Sequence, residues 1–595
     1  MTMGDDDKRV WNRLELKHRS KKLKKHARKA ENATVRHAKR FVVNRWENIR
    51  EVRLHIILWL SGVGLLIALV GLQMLWFQQS YVTKAPTNGG TYAEAVKGPI
   101  TTLNPLYATT PAEVAAGRLL FSSLYQLDAS GNVKGDIATS MTNEADKTFT
   151  VSLRKDVRWH DRLPLNADDV IFTVNLMKNP AARSTMTASW RGIEAQKVDE
   201  YTVRFQLPAS YAAFPHALTF AILPQHLLKS VEPASLRESG FSDAPIGSGP
   251  FSLRLLQNIG TGTGRKVVHM VSNKDHYAGQ PRLDRLQIHA YGDDDSFARA
   301  LRTGEVSAAS DVSGAVASSV DKSRYDVIMK PINNGVYAIF NTTQPLLANA
   351  QVRRALQAGT NTQAIRDDLY GKPQAMHLPF AVRQVDGSDA LAAPKYDKAA
   401  AAKLLAEAGW TMKDGILKKG EETLQLRVVT RKNSDYEKAL GALAGQWRQL
   451  GIDVLVQVVD TTSTGQNFTQ QILQERNYDV LLDELVIGPD PDVFAYWHSK
   501  GLLNFSSYSN QVSDDALSSA RTRSDEALRA VKYAAFAKQW LADAPAIGLY
   551  QSDFIYVRNK AARSVTPDEI IVDPNEHYAT VRYWTADQSE TFKTP

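Results

Sequence analysis

The sequence predicts an α/β protein whose large C-terminal part folds outside a membrane, behind one transmembrane helix. Three observations carry this. An uninterrupted apolar run occupies residues 54–77, roughly 500 residues follow it, and those residues alternate short strand-like and helical stretches.

The run LHIILWLSGVGLLIALVGLQMLWF has 24 residues and no Asp, Glu, Lys or Arg. As a helix rising about 1.5 Å per residue it spans roughly 36 Å, enough to cross a hydrocarbon core of about 30 Å with some tilt. In lipid every backbone polar group needs an internal partner, so the run should be helical. Trp59, Trp76 and Tyr81 stand where interfacial aromatics are expected. The competing reading is a cleaved signal peptide. Its apolar region is shorter, about 7–15 residues, and QQSYVTKAP offers no A-x-A cleavage pattern. An uncleaved anchor is the favoured reading.

Charge sets the orientation. Residues 1–53 hold 17 Lys and Arg against 7 Asp and Glu, whereas the rest of the chain holds 55 against 56. The net +9 of the protein is therefore a property of the tail. The positive-inside bias places 1–53 in the cytoplasm and 78–595 outside the cell membrane. Within the tail, KHRSKKLKKHARK is polybasic, and Phe41, Val42, Trp46 and Ile49 recur near helical spacing. This reads as a segment lying on anionic lipid headgroups, or as a topology determinant alone. A protein partner is the second reading and nucleic acid the least favoured. The chain contains no cysteine, which excludes a disulfide and a lipid-modified N-terminal Cys.

Residues 78–90 read as a linker rich in turn formers. Beyond it, period-2 alternation predicts strands over Thr148–Leu153, 202–207, 425–430 and 453–458, and helical spacing predicts helices over 400–408 and 435–450.

Several segments, in order, carry a resemblance. Leu103-Asn104-Pro105, Leu124-Tyr125 with Gly131, and LRKDVRWHDRLPLNADDVIFT (153–173) come first. PIGSGPF (245–251), NKDHYAGQPRLDRL (273–286), ALRTGEV (300–306) and FNTTQPLLANAQVRRAL (340–356) follow. YDVLLDELVIGPDPDVF (478–494) and NFSSYSNQVSDDAL (504–517) complete the set. Together they resemble the family 5 extracellular solute-binding proteins, the peptide, nickel and oligosaccharide receptors of ABC importers. The resemblance covers nearly all of 90–595. It implies a two-lobed periplasmic-binding-protein-like fold: lobe I over 91–330, with an extra subdomain at about 127–240, lobe II over 331–545, and a return to lobe I over 546–595. It also implies a non-catalytic receptor without cofactor or metal, which closes its lobes on a peptide or related small solute for an ABC permease. A ligand-free scaffold or sensor on the same fold is the alternative.

Most motifs have a structural reading. Trp159-His160-Asp161 is a strand-to-turn corner in the resemblance, with Arg162 where the family usually has Gly. Asn166 with Asp168 and Asp169 reads as a helix cap. Gly247, Gly249 and Pro250 read as a lobe-crossing turn. GTGTGRK (260–266) lacks the Gly-Lys-Ser/Thr of a phosphate loop and lies between two strand-like stretches, so it reads as a hairpin loop. The sequence contains no G-x-S-x-G, no H-E-x-x-H and no residue set at metal-ligand spacing, which argues against an enzyme.

Peptide-binding members of the family typically hold the ligand's amino terminus with an aspartate just before the D-P step, and its carboxylate with an arginine slightly earlier. Those positions fall here on Ile487 or Gly488 and on Leu481 or Leu482, so both clamps are missing. A buried ammonium without a counter-charge costs several kcal/mol. Asp483 or Glu484 can substitute from a shifted position; the alternative reading of these acids is as solvated strand or loop residues. The ligand-binding candidates are therefore Tyr107, Asn341, Asp483, Glu484 and Trp497. Asp490 and Asp492 read as turn or capping groups, Trp190 as a further pocket candidate near the extra subdomain or as core packing, and Arg353 and Arg354 as helix surface.

Overall fold

The computed structural model describes residues 36, 46–128, 131–260, 265–460 and 468–592. The lipid-facing reading of the tail and the tip of the glycine loop at 261–264 lie outside the described residues. The chain forms two units, 1–85 with 590–595, and 86–589.

In the first unit the described residues include the long helix Trp46–Tyr81, longer at both ends than the apolar run. Its Arg53–Phe77 stretch has a mean hydropathy of 2.2 and no burial. Length and composition suit a membrane span.

The second unit is built on a ten-stranded sheet. Its strands, numbered along the chain, are β1 (Thr91–Lys97), β2 (Phe251–Ile259), β3 (Arg265–Ser272), β4 (Arg285–Tyr291), β5 (Ala308–Ala309), β6 (Tyr325–Phe340), β7 (Gln425–Arg431), β8 (Asp453–Val459), β9 (Val480–Val486) and β10 (Ala546–Asn559). The spatial order is β8-β7-β9-β6-β10-β5-β1-β4-β3-β2. The antiparallel pair β2–β3 flanks the glycine loop.

Strands β6 and β10 are 16 and 14 residues long and run through both lobes. Their ladder is interrupted between Pro331 and Gly335. Proline supplies no N–H to the ladder, so the pairing must shift there. Core packing breaks at the same place. Ile328 and Ile332 of β6, with Phe554 and Tyr556 of β10, belong to a lobe I core that also holds Leu119, Phe149 and Trp584. Val336, Ala338 and Phe340, with Leu549 and Tyr550, belong to a lobe II core with Leu443 and Trp447. The other face of the lobe II sheet packs Tyr337, Leu481, Trp497 and Trp540. Two lobes with separate cores, joined by two continuous strands, result.

The extra subdomain of lobe I carries its own four-stranded sheet, with Thr148–Leu153 and Thr202–Gln206 at its centre. Trp190 packs there edge-on to Phe220, centroids 4.9 Å apart. The helix Ala167–Lys178 starts at Asn166, whose side chain accepts from Asp168 N at 2.9 Å, and Asp169 closes the capping box. At the neighbouring corner Gly247 N donates to His160 Nδ1 (3.2 Å), so Nε2 carries the proton and donates to Gly249 O (3.1 Å). Burial lowers the His160 pKa, and both ring nitrogens are engaged. Gly247 and Gly249 lie against the end of the helix Pro111–Leu120; a Cβ on Gly247 would stand 1.8 Å from Leu120 O. That turn packs within lobe I rather than crossing between lobes. Arg162 adopts φ 74°, a conformation that disfavours every residue with a Cβ. Arg162→Gly should therefore raise stability by about 1 kcal/mol, read from the denaturant midpoint.

Arg353 is not a surface group. It is 6% exposed, and its guanidinium donates to the carbonyls of Leu347, Ala348, Asp543 and Ala544. The last two end the helix Glu526–Asp543, where free carbonyls and the negative end of the helix dipole favour a cation.

Candidate functional site

Parallel strands in both lobes direct their carboxyl ends toward one cleft. In lobe I, β1 runs parallel to β4 and to β5, and Lys97 at the end of β1, with 292–295 and 311–313 beyond β4 and β5, forms one wall. In lobe II, β7 runs parallel to β8 and β9, and residues 432–436 with Asp460 and Glu484 form the other. The carboxyl end of a parallel sheet is the usual ligand side of α/β folds.

The cleft has an inner chamber of about 120 Å³ and an outer one of about 680 Å³, which share Lys97 and Asn433. Four carboxylates line the inner chamber: Asp311, Asp435, Glu484 and Asp553; Lys97 is the single cation among its lining residues. Each arrives from a different element. Asp435 is the second residue of the helix Ser434–Arg448, whose cap Asn433 accepts from Asp435 N (2.9 Å) and Tyr436 N (3.2 Å). Its Oδ2 accepts from Gly314 N across the cleft at 3.2 Å, and its Oδ1 has no hydrogen-bond partner among the described residues. Glu484 accepts from Tyr436 OH (3.1 Å) and Asn334 Nδ2 (3.4 Å). The Tyr550 hydroxyl, on β10, is buried with no hydrogen-bond partner among the described residues, and its pKa is raised by burial and then by the charges of Asp435 and Glu484.

The electrostatics are strained. Asp311 is exposed to the water of the cleft. Partial desolvation by the cleft walls, then the Glu484 charge, pushes its pKa up to about 6, although Lys97 pulls the other way. Burial alone brings Asp553 to about 6. Clustered carboxylates short of counter-charge are a binding surface for a cation.

The sequence candidates divide. Period-2 alternation on β9 turns Glu484 and Asp483 to opposite faces. Glu484 lines the inner chamber. Asp483 is buried in lobe II, paired with Arg431 at 2.9 Å. Tyr107 is 2% exposed beneath the Arg237 guanidinium, 5.5 Å from its ring, and lines neither chamber. Asn341 is buried, its amide donating to Tyr478 O (3.2 Å) and its oxygen accepting from Thr343 Oγ1 (2.7 Å), which fixes a turn. Trp497 packs edge-on against Tyr337 and Trp540 in the lobe II core. Sequence reasoning missed Asp311, Asp435, Asp553 and Tyr550.

Asp490 and Asp492 do more than cap. Arg529 binds both oxygens of Asp490 (2.7 and 2.9 Å). Arg521 pairs with Asp492 at 3.1 Å, and its guanidinium lies between Phe494 of lobe II (4.7 Å) and Tyr211 of the extra subdomain (4.6 Å). Tyr211 and Arg521 thus join the two lobes at a second point, besides Gly314 and Asp435.

One arrangement imitates a hydrolase. His498 Nε2 stands 3.3 Å from Ser518 Oγ, with Asp514 3.8 Å from Nδ1. Lys500 N donates to Nδ1 at 2.9 Å, which leaves the ring proton on Nε2, directed at the serine. That tautomer cannot accept the serine proton.

The profile described as bacterial extracellular solute-binding proteins, family 5, matches residues 132–504, more than half of the chain. The chain belongs to this family. It is a solute-binding receptor of the ABC-importer kind, a binding protein rather than an enzyme. The oligopeptide-binding protein AppA of Bacillus subtilis is 26% identical over 483 residues, 78% of this chain and 87% of that protein. The solved structure of the same AppA with a nonapeptide aligns at TM-score 0.71 and 24% identity, covering 84% of this chain and 99% of that one. NikZ of Campylobacter jejuni in complex with Ni(L-His) aligns at TM-score 0.72 and 24% identity, covering 83% and 99%. These solved folds carry the two-lobed α/β architecture to this family 5 receptor.

Proposed function

We propose that this protein is a membrane-anchored extracytoplasmic receptor that binds a peptide or related small solute by a positively charged amine and hands it to an ABC permease as its lobes close. The observation that carries the reading is the inner chamber: four carboxylates and an unpartnered tyrosine hydroxyl against one lysine. The usual aspartate position is empty, and the same charge is supplied from Glu484, Asp311 and Asp435. The outer chamber holds Lys432 and Lys438 besides Lys97. Lys432 is paired with Asp460 at 2.8 Å and Lys97 with Asp294 at 4.0 Å, so Lys438 is the group to meet a ligand carboxylate. The apolar helix at Arg53–Phe77 supports the anchor, which would keep the receptor at high effective concentration near its permease.

Calorimetric titration with short peptides tests the amine. Free-amine peptides should bind, and N-acetylated copies should bind about tenfold or more weakly, since one charge-assisted contact is lost. Equal affinity for both would overturn the reading.

Closure makes its own prediction. Arg521 is held by rings of both lobes, and a cation–π contact contributes about 0.5–2 kcal/mol. Arg521→Ala should weaken ligand affinity several-fold and shift the ligand-free protein toward a larger radius of gyration in solution scattering. An unchanged radius with unchanged affinity would remove Arg521 from the closure step.

A further inference from the structure

A separate cavity of about 500 Å³ lies in lobe I, sharing no lining residue with either chamber of the cleft. Its volume is in the range of small-molecule sites, roughly 300–1,000 Å³. Four segments far apart in sequence meet there: the helix Pro111–Leu120, the start of the extra subdomain, the loop at 276–278 and the C-terminal return at 578–583.

The charged groups decide what it would hold. Arg118, Lys134, Arg154 and Arg582 line the cavity against Asp128 and Asp136. Asp136 is internally engaged: Tyr277 OH donates to one oxygen and Ser123 N, at 2.9 Å, to the other. Arg118 is held by Gln126 and Glu576, both at 3.1 Å. Arg154 gives Nε and Nη2 to Asp156, outside the lining, and lies over the Tyr277 ring at 5.2 Å, which leaves Nη1 available. Arg582 donates to Ala278 O and Tyr583 OH, both neutral acceptors. Burial first, then the charges of His160, Arg582 and Arg154, lower the His276 pKa to about 4.

We propose that this cavity is a second ligand site, taking a small anion with carboxylate or phosphate groups between Arg154 and Arg582, with Lys134 at the rim. A planar guanidinium pair suits either oxyanion. A solute receptor with such a site would bind two chemically opposite ligands, a cation-bearing solute in the cleft and an anion in lobe I.

The test is titration calorimetry of the full chain in neutral detergent at fixed ionic strength, with citrate as the carboxylate probe and inorganic phosphate as the other. Saturable binding of at least one probe is expected, weakened about tenfold or more in the R154Q/R582Q double variant and unchanged in E484Q. If the double variant shows no cooperative melt, K134Q, at an exposed position, replaces it, with a several-fold loss expected. Three results would overturn the site: no saturable binding of either probe, equal binding by wild type and the arginine variant, or a loss that appears in E484Q instead.

Discussion

Replacing Asp311 by Asn and Glu484 by Gln together is expected to lower affinity for an amine-bearing solute by about 100-fold or more. Each carboxylate offers a charge-assisted contact of roughly 1.5–3 kcal/mol, and about 1.4 kcal/mol is tenfold. Stability should stay level or rise, because the pair crowds like charge in an inner chamber lined by one lysine. Affinity should also depend on pH. Asp311 and Asp553 have pKa values raised to about 6, so each is mostly protonated at pH 5 and mostly charged at pH 7. Cation binding should strengthen roughly tenfold or more over that interval. The stability term has the opposite sign. A carboxylate whose folded pKa lies above its unfolded value of about 4 makes the folded state bind more protons between about pH 4 and 6. Its contribution is therefore largest at low pH and is lost as pH rises through that window. Calorimetry of the variant pair at pH 5 and pH 7 checks both statements. A double variant that binds like wild type would place the ligand's charge elsewhere.

Glu94→Ala is expected to destabilise lobe I by about 3–5 kcal/mol. Glu94 is 0% exposed on β1. Its Oε1 accepts from His577 Nε2 and Tyr578 OH, both at 2.9 Å, and its Oε2 from Tyr556 OH at 3.2 Å. Tyr556 in turn meets Tyr92 OH at 2.7 Å, and Tyr92 reaches Ser564 at 2.9 Å. One side chain thus ties the C-terminal return to the first strand of the sheet; its loss leaves His577 Nε2 and Tyr578 OH without that acceptor and Tyr556 OH with Tyr92 alone. Glu94→Gln keeps one acceptor and the side-chain volume, so it should cost less. A fall in the denaturant midpoint for Glu94→Ala, larger than for Glu94→Gln, is the expected reading.

Local elements were legible where one periodicity governs the residues. The alternation of Thr148–Leu153 follows its burial, residue by residue, because one face meets Val203 and Phe205 and the other faces outward. The helix read over 435–450 is Ser434–Arg448, its start set by Asn433. The division into lobes rested on the ordered family segments, since no local pattern announces that Pro331 interrupts a long strand.

The site was less legible. Glu484 was found through its nearness to the D-P step, but alternation on β9 separates it from Asp483, whose partner Arg431 lies on another strand. Asp435 reads as an ordinary first-turn acid behind a cap, so helix chemistry accounts for it fully in sequence. Asp311 and Asp553 stand alone in short polar stretches, and only folding places them on one chamber. A non-glycine residue at positive φ, as Asp311 is at 52°, is a mark that appears only in the structure. Arg353 was misjudged because its partners are the carbonyls of a helix end nearly 200 residues later.

The most direct measurement is native mass spectrometry of the full chain, purified gently in detergent, stripped, and then offered a pool of short peptides with free or acetylated amino termini. The account predicts an added mass that is lost on stripping and regained with the free-amine peptides alone. A chain that stays empty with that pool, or that takes the acetylated peptides equally well, would contradict it.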